Sequence, residues 1–379
     1  MKILYVHNCY GKESGEEIVV KSNISLLKSK GVDVDLYSRS SAELHGIYGQ
    51  IKGFVCGIWN PFSYRVFASY LDKNKPDIVH IHNLYPLINP QIITACKKRG
   101  IPVAMTVHNY RMICPNGLCL SKGHICHECF ETKWREFACI KNNCNDSILK
   151  SIGYAIRNYK ARISEYYQLV DLFFLLSDFQ KKILVSNGYS EKKMLILGNS
   201  LPNDDDVSEE KGFVLYIGRI SKEKGIDTLI SAARHLSYLS FIIAGSGNTE
   251  LLNDLPSNIK YVGFVNGKNK RQLIQQASII VLTSKCYEGF PVVILEAMRA
   301  KKSMIVPNLG AMKEIAGDSA QEFESENTMD LVNKIATLMS NENKRREMGY
   351  KGKKKFMLEY CDEVFIKKMI KAYEDLYNK

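Results

Sequence analysis

Apolar positions along the chain fall into short strand-like runs separated by helically spaced stretches. KILYVHN opens the pattern, followed by the glycine-containing loop YGKESGEE. IVVKSNISLLKSKG then carries Ile24 and Leu27 on one helical face, with Gly31 as its stop. VDVDLYSR alternates with period two. PDIVHIHN, IPVAMTVHN and LVDLFFLLS are three further apolar runs, spaced by helical stretches. Strand, helix, strand in this rhythm predicts a parallel, doubly wound sheet.

The rhythm then restarts. GFVLYIGR reads as a strand, GIDTLISAARHL as a helix and LSFIIAGSG as a strand ending in glycines. IKYVGFV, ASIIVLTS and KSMIVPN are the remaining predicted strands. Between the halves lies LPNDDDVSEEKG, acidic and without a periodic apolar face, where the linker is expected. The predicted domains are 1–204, 205–360 and a terminal segment 361–379. That segment carries Phe365, Met369 and Tyr373 at four-residue steps and is expected to pack back on the N-terminal domain. In each domain ligands belong at the carboxyl ends of the strands.

Composition narrows the class. The 379 residues exceed a single small module, and a 45% hydrophobic, 24% charged balance excludes global disorder. The net charge of +12 is uneven: residues 1–175 hold 22 basic against 14 acidic residues, a surplus of +8. Such a surplus points to an anionic partner, namely nucleic acid, an anionic membrane face or a phosphorylated small molecule. The opening run is too short for a signal-peptide core and no stretch is long enough to span a bilayer. The expected location is therefore cytoplasmic, with peripheral attachment to the inner face of the membrane as an extension.

The candidate chemistry sits at strand ends. In CYEGFPVVILEAM, Glu288 follows a strand, Pro291 suits a first helical turn and Glu296 lies a little over two turns on. The free N–H groups near Val292 and Val293 make an anion site. Taken alone, this spacing favours the plain reading, a solvated carboxylate plus a helix-surface Glu. In GRISKEKG, Arg219 and Lys224 bracket a turn into a helix, an arrangement suited to a diphosphate. IAGSGN places Gly245 and Gly247 for close backbone approach to a ligand, and Gly15 follows the first strand beside Ser14. His82 and Asn83 end one predicted strand and His108 ends the next, positions open either to the cleft or to plain structural bonding.

These pieces together resemble the retaining glycosyltransferases of family 4, built on the two-domain GT-B fold. GRISKEKG, IAGSGN and above all EGFPVVILE carry the resemblance. HIHNLYPLINP and VHNYRMICPNG resemble stretches of a bacterial subgroup that builds surface polysaccharides. The resemblance implies two Rossmann-like domains facing across a cleft. It implies that a sugar moves with retention from a nucleotide diphosphate sugar, UDP by default, to a glycan acceptor, lipid-linked or soluble. Arg219 and Lys224 would bind the diphosphate, Glu296 the ribose hydroxyls, and Val265 the base. Glu288, Gly289, Phe290, Pro291 and Val292 would line the donor sugar and diphosphate. Gly15 would let the N-terminal domain approach the diphosphate, and His108 would sit near the sugar. His82 and Asn83 are the further acceptor-side residues. Ser14 departs from the family's second glycine. No catalytic metal is called for, and the run Asp204–Asp206 is read as solvated.

Six of the eleven cysteines lie within 114–144. The spacing of Cys126 and Cys129 suits a metal knuckle, with Cys114 and Cys144 completing a structural zinc site and Cys119, Cys139 and His127 as alternates. The following stretch, 148–169, reads as a basic, aromatic amphipathic helix, fit either for the core or for an anionic membrane. Two other functions share some of these features: a nucleotide-sugar epimerase of similar fold, and a nucleic-acid-binding protein with a zinc knuckle. The Glu288/Glu296 spacing argues against the first. The spread of basic residues without a base-stacking motif argues against nucleic acid.

Overall fold

The structure, a computed structural model, describes residues 1–10, 15–44, 46–203 and 209–378. Ser14 and the run Asp204–Asp206, with the expected boundary at 204, lie outside the described residues. The chain divides into two units. The first comprises Met1–Lys122, Cys126–Gly198 and Ile366–Lys379; the second comprises Gly123–Ile125 and Asn199–Phe365.

The first unit is built on six parallel strands. They are β1 (Lys2–Cys9), β2 (Asp33–Ser40), β3 (Ile78–Asn83), β4 (Val103–Val107), β7 (Leu172–Leu175) and β8 (Met194–Ile196), in the order β2-β1-β3-β4-β7-β8. A small hairpin, β5 (Leu120–Ser121) and β6 (His124–Ile125), interrupts the series within the cysteine-rich insert. β3 and β4 are buried along their whole length, as strands covered on both faces must be. The first helix, Gly15–Ser29, starts three residues before the apolar run that predicts it, because Glu16 and Glu17 complement its N-terminal dipole. The last helix, Asp362–Tyr377, buries Phe365, Met369 and Tyr373. Tyr373 shares a hydrogen bond of 3.1 Å with the Tyr5 hydroxyl, so its C-terminal part is core to the first unit.

The second unit repeats the plan. Its strands are β9 (Phe213–Ile217), β10 (Ser240–Ala244), β11 (Ile259–Tyr261), β12 (Ala277–Val281), β13 (Ser303–Pro307) and β14 (Ala320–Phe323), all parallel. Their order, β11-β10-β9-β12-β13-β14, reverses between β9 and β12. That reversal makes a topological switch point, where the loops leaving two neighbouring strands diverge.

The stretch read as an amphipathic helix is a helix over Ile148–Ile163 followed by a single turn at Tyr166–Leu169. Its burial departs from the expectation in part: Ala155 is buried and Lys150 and Arg162 are exposed as expected, but other positions differ. Ser151, Ala155, Asn158 and Ala161 face inward, while Ile148, Leu149 and Ile163 are exposed. Arg157, expected on a solvated basic face, is buried. It donates to the Pro115 carbonyl at 2.9 Å and lies 4.2 Å from the centroid of the Tyr85 ring. Three hydrogen bonds, to Asn158 Oδ1 and the Pro115 carbonyl, and a π-face satisfy a guanidinium that the sequence pattern assigns to water. Among the described residues no helix is long and apolar enough to cross a membrane.

Candidate functional site

At the switch point of the second unit, β9 leads through Gly218 and Arg219 to the turn Lys222–Lys224, and β12 leads to Glu288 and the helix Val292–Arg299. The two loops touch through Gly225, whose φ is +65°. A Cβ there would stand 1.9 Å from the Thr283 carbonyl oxygen, so glycine is required. The Thr283 hydroxyl donates to the Lys224 carbonyl at 2.9 Å, and the Lys285 N–H donates to the Glu223 carbonyl at 2.8 Å.

This lacing holds Lys224 and Glu288 together. The Lys224 ammonium donates to Glu288 Oε1, and the Ser284 hydroxyl donates to the same oxygen at 2.5 Å. Burial pushes the Glu288 carboxyl up, but the Lys224 charge and the donated hydrogen bonds outweigh it and leave it below the usual range. Burial lowers the Lys224 ammonium, and Glu288 more than restores it. Both members are therefore charged at neutral pH. Arg219 is more exposed and pairs with Glu223 at 2.6 Å.

Glu296 lies on the helix Val292–Arg299. Its Oε1 accepts from Lys270 at 2.7 Å, while Oε2 is buried with no hydrogen-bond partner among the described residues. A buried carboxylate oxygen left bare is uncommon and costly, and a ligand hydroxyl satisfies it. Pro291 stands just ahead of the helix, at its N-cap, with extended ψ of 107°, rather than within the first turn. Phe290 is buried edge-on to Tyr360, with ring centroids 5.7 Å apart. Gly289, Val292 and Val265 are half-buried.

Gly245 and Gly247 are required by the chain's own packing. Their φ values are +150° and +148°. A Cβ would lie 1.8 Å from the Gly218 carbonyl oxygen and 2.2 Å from that of Ile220. They let the loop after β10 lie against the loop after β9, where Ile220 N–H donates to the Ser246 carbonyl at 2.8 Å. The close approach is protein against protein. Gly15 contrasts with them: a Cβ there would meet nothing within 4 Å among the described residues.

The first unit gathers four of the eight histidines at the corresponding strands. His80 Nδ1 shares a 2.5 Å hydrogen bond with the Tyr373 hydroxyl, and His80 Nε2 bonds Thr106 Oγ1 at 2.8 Å. His82 stacks on His80 at 4.4 Å, and its Nδ1 shares a 2.8 Å hydrogen bond with His108 Nε2. Burial, with smaller contributions from neighbouring histidines, lowers His80 and His108 to about 3 and His82 well below its ordinary value. These are neutral rings. Asn83 donates to the Asn8 carbonyl at 2.8 Å and so braces β3 against β1.

In the insert, the Cys114 sulfur accepts from Cys119 and Cys129, which together lower its pKa against the effect of burial. Cys139 donates to Cys144, holding that thiol at about 7. Cys126 is half-buried. The sulfurs thus gather as a Cys114, Cys119 and Cys129 group and a Cys139 and Cys144 pair. Cys114 and Cys129 of the expected quartet meet directly, and Cys119 stands with them.

Sequence reasoning misses Ser284, Lys270 and Thr283, which have no motif of their own and reach the site only through the fold. It also misses His7, although His7 stands near the end of β1 as His82 stands near the end of β3.

Two family models match the chain in tandem: "Glycosyltransferase Family 4" over residues 14–202 and "Glycosyl transferases group 1" over residues 200–355. An uncharacterized glycosyltransferase of Methanocaldococcus jannaschii is 31% identical over 176 residues, 43% of this chain and 48% of that protein. The capsular polysaccharide biosynthesis glycosyltransferase CapM of Staphylococcus aureus is 24% identical, over 55% of this chain and 61% of its own length. The N-acetylgalactosamine-N,N'-diacetylbacillosaminyl-diphospho-undecaprenol 4-alpha-N-acetylgalactosaminyltransferase of Campylobacter jejuni is 25% identical, over 59% and 66%. The match thus spans about half the length of the first relative. Among solved structures, sucrose-phosphate synthase of Thermosynechococcus elongatus superposes with a TM-score of 0.73 at 14% identity, covering 100% of this chain and 99% of that one. Anabaena HepE, in complex with UDP and glucose, gives 0.68 at 14% identity over 99% of each chain. Likeness at that identity shows the fold, two Rossmann-like domains of GT-B type. The two family models together run from residue 14 to residue 355, and the chain belongs to the family 4 type of glycosyltransferases that they describe.

Proposed function

We propose that this chain transfers a sugar from a nucleoside diphosphate sugar, UDP-linked, to a lipid-linked glycan acceptor in the synthesis of a bacterial surface polysaccharide, with retention at the anomeric carbon. The observation that carries the proposal is the half-buried, charged Lys224–Glu288 couple at the switch point of the second unit. Lys224 and Arg219 hold the diphosphate and stabilise the charge that develops on it as the glycosidic bond breaks. Glu288 keeps Lys224 oriented and offers its remaining oxygen to a sugar hydroxyl. The bare oxygen of Glu296 accepts from the ribose hydroxyls. His108 is the first unit's own hydroxyl-binding candidate. Its Nε2 is committed to His82, so a bond to a sugar hydroxyl falls to Nδ1. The UDP assignment is supported by HepE, the lipid-linked acceptor by the Campylobacter relative, and the pathway by CapM.

The test is a thermal-shift screen of UDP-, GDP- and TDP-sugars followed by release assays. UDP-sugars should raise the melting temperature, and the chain should slowly release UDP from one of them. A shift confined to GDP- or TDP-sugars overturns the base assignment. Absence of any shift, with nucleic acid binding in its place, overturns the enzyme reading. The anomeric configuration of the product, read by NMR, decides retention.

A second proposal concerns the first unit's surface. The helices Gly46–Ile58 and Ile148–Ile163 pack closely: a Cβ on Gly153 would lie 2.3 Å from the Phe54 ring. They leave Tyr48, Val55, Ile148 and Leu149 exposed, with Lys52 and Lys150 on the same helices. This apolar and basic combination suits an anionic bilayer surface and the lipid-linked acceptor it carries. Leu149→Glu should abolish co-sedimentation with anionic vesicles and leave the melting temperature unchanged; undiminished sedimentation sinks the proposal. We further propose that the Cys114, Cys119 and Cys129 group, completed by Cys126 or Cys144, holds a structural zinc that staples the insert.

A further inference from the structure

Three metal-ligating side chains outside the donor site meet at the end of β1. They are the His7 imidazole, the Cys9 thiol and the Glu17 carboxylate, the last from the first turn of the helix Gly15–Ser29. Their ligand atoms all lie within 4.8 Å of one another. His7 and Cys9 are two residues apart on one strand, so they share a face, and the helix brings Glu17 to it.

His7 is the anomaly in this group. It is 2% exposed, yet neither ring nitrogen has a hydrogen-bond partner among the described residues. Its close carboxylate neighbour, Glu16, stands 3.7 Å from Nδ1, beyond hydrogen-bond reach. Buried polar groups are bonded as a rule, and an unbonded one in a donor cluster asks for a ligand. Glu17, by contrast, is already oriented, because the Tyr10 N–H donates to its Oε1 at 2.8 Å. Such a bond behind a carboxylate is what a metal ligand needs to hold its direction.

We propose that His7, Cys9 and Glu17 form a three-ligand site for a zinc-class divalent cation, its fourth position open to water or to an anionic oxygen of a ligand. One nitrogen, one sulfur and one carboxylate oxygen match the donor preferences of Zn²⁺. Zinc bonds of about 2.0–2.3 Å at tetrahedral angles place donors roughly 3.3–3.8 Å apart, so binding draws the three inward by at most about 1.5 Å. The Cys9 proton passes to solvent on binding, and no electron moves. The site lies at the first unit's own switch point, where β1 sits between β2 and β3. It is separate from the cysteines of the insert, and the test must keep the two apart.

Cobalt titration of the metal-free chain serves this purpose. Thiolate-to-cobalt charge-transfer bands and tetrahedral d–d bands report each filled site. Wild type, Cys9→Ser, Glu17→Gln and Cys126→Ser are compared, with the metal-free melting temperature as the fold control. Cys9→Ser and Glu17→Gln should each bind one equivalent fewer than wild type while melting, metal-free, like wild type. Cys126→Ser should keep that equivalent and still gain melting temperature on zinc addition. A Cys9→Ser chain that binds as many equivalents as wild type, with the same charge-transfer intensity, overturns the proposal. If Cys9→Ser melts low, Glu17→Gln decides by the same count, because the carboxamide keeps the shape and loses the anionic ligand.

Discussion

The two units share a doubly wound plan and place opposite chemistry at their strand ends. In the second, β9 and β12 present charge: Arg219, Lys224, Glu288 and Glu296, with cation and carboxylate in contact. In the first, β3 and β4 present neutral aromatic donors, His80, His82 and His108, stacked and hydrogen-bonded in the sheet. Burial acts on both sets and has different outcomes. Lys224 and Glu288 each supply the counter-charge that the other's burial demands, so both stay ionised. The histidines have no such partner and lose their protons instead. The fold thus decides where a ligand is met, and the residues at the strand ends decide what is met. A charged couple suits a diphosphate whose charge grows during reaction. A neutral imidazole suits a hydroxyl.

The sharpest way to break this contrast is to uncouple the charged pair. Glu288→Gln and Lys224→Met should each lower transfer by about 10²–10³-fold, the scale of losing one preorganised electrostatic contact. Each also leaves a charge without its partner, so each should destabilise the second unit by on the order of 3 kcal/mol. The double variant should recover most of that stability and none of the activity. Turnover and urea melts of the four chains check this. Additive stability losses, or activity returning in the double variant, would show that the pair does not act as a couple.

Most of the fold was legible in the sequence because it rests on apolar runs. Ten of the twelve sheet strands follow from such runs. β8 and β14 do not, since MLI is too short to show a period and AQEF has no apolar pattern; they are strands because β7 and β13 lie beside them. The charged half of the site was legible for the same local reason: Arg219, Lys224, Glu288 and Glu296 sit in short motifs after strands. Lys270 lies 26 residues from Glu296 and Lys224 lies 64 from Glu288, and no local pattern announces either contact. The burial of Arg157 in the helix Ile148–Ile163 was illegible for another reason. Periodicity names an apolar face, but the buried side here is set by Arg157 and Asn158 finding polar partners below them.

Glycines offer a second contrast, of smaller effect. Gly245→Ala should destabilise the second unit by several kcal/mol, because its Cβ would fall 1.8 Å from a backbone oxygen that cannot swing away. Gly15→Ala should be neutral or slightly stabilising, since a helix residue in open space gains from losing glycine's freedom. Any fall in transfer by Gly15→Ala then reports a ligand approaching that backbone, because no packing among the described residues changes. Melting temperatures and initial rates of the two variants separate the cases. Equal stability losses would erase the distinction between a glycine for packing and a glycine for access.

Acid provides the mildest perturbation and reads both units at once. His80 is enclosed by the Tyr373 hydroxyl, Thr106 Oγ1 and the rings of Tyr5, His82 and Phe174, with no carboxylate among these neighbours. Its pKa of about 3 in the folded chain lies below the ordinary 6.5, so the unfolded chain binds its proton first. Stability from this ring is therefore complete above pH 6.5 and falls as the pH drops from there toward 3, by at most about 1.4 kcal/mol per unit. Glu288 has the opposite kind of charge and a later window. Its carboxyl is also depressed in the folded chain, so its contribution persists down to about its ordinary value of 4.5 and is lost below it. Between pH 6.5 and 5 the first unit should weaken while the Lys224–Glu288 couple keeps its strength. Hydrogen exchange followed separately on β3 and β12 measures this. His80→Gln, which cannot take up the proton, should flatten the slope at β3 and leave that at β12 unchanged. Identical slopes at both strands, or no change in His80→Gln, would mean that the neutral histidines do not govern the first unit's response to acid.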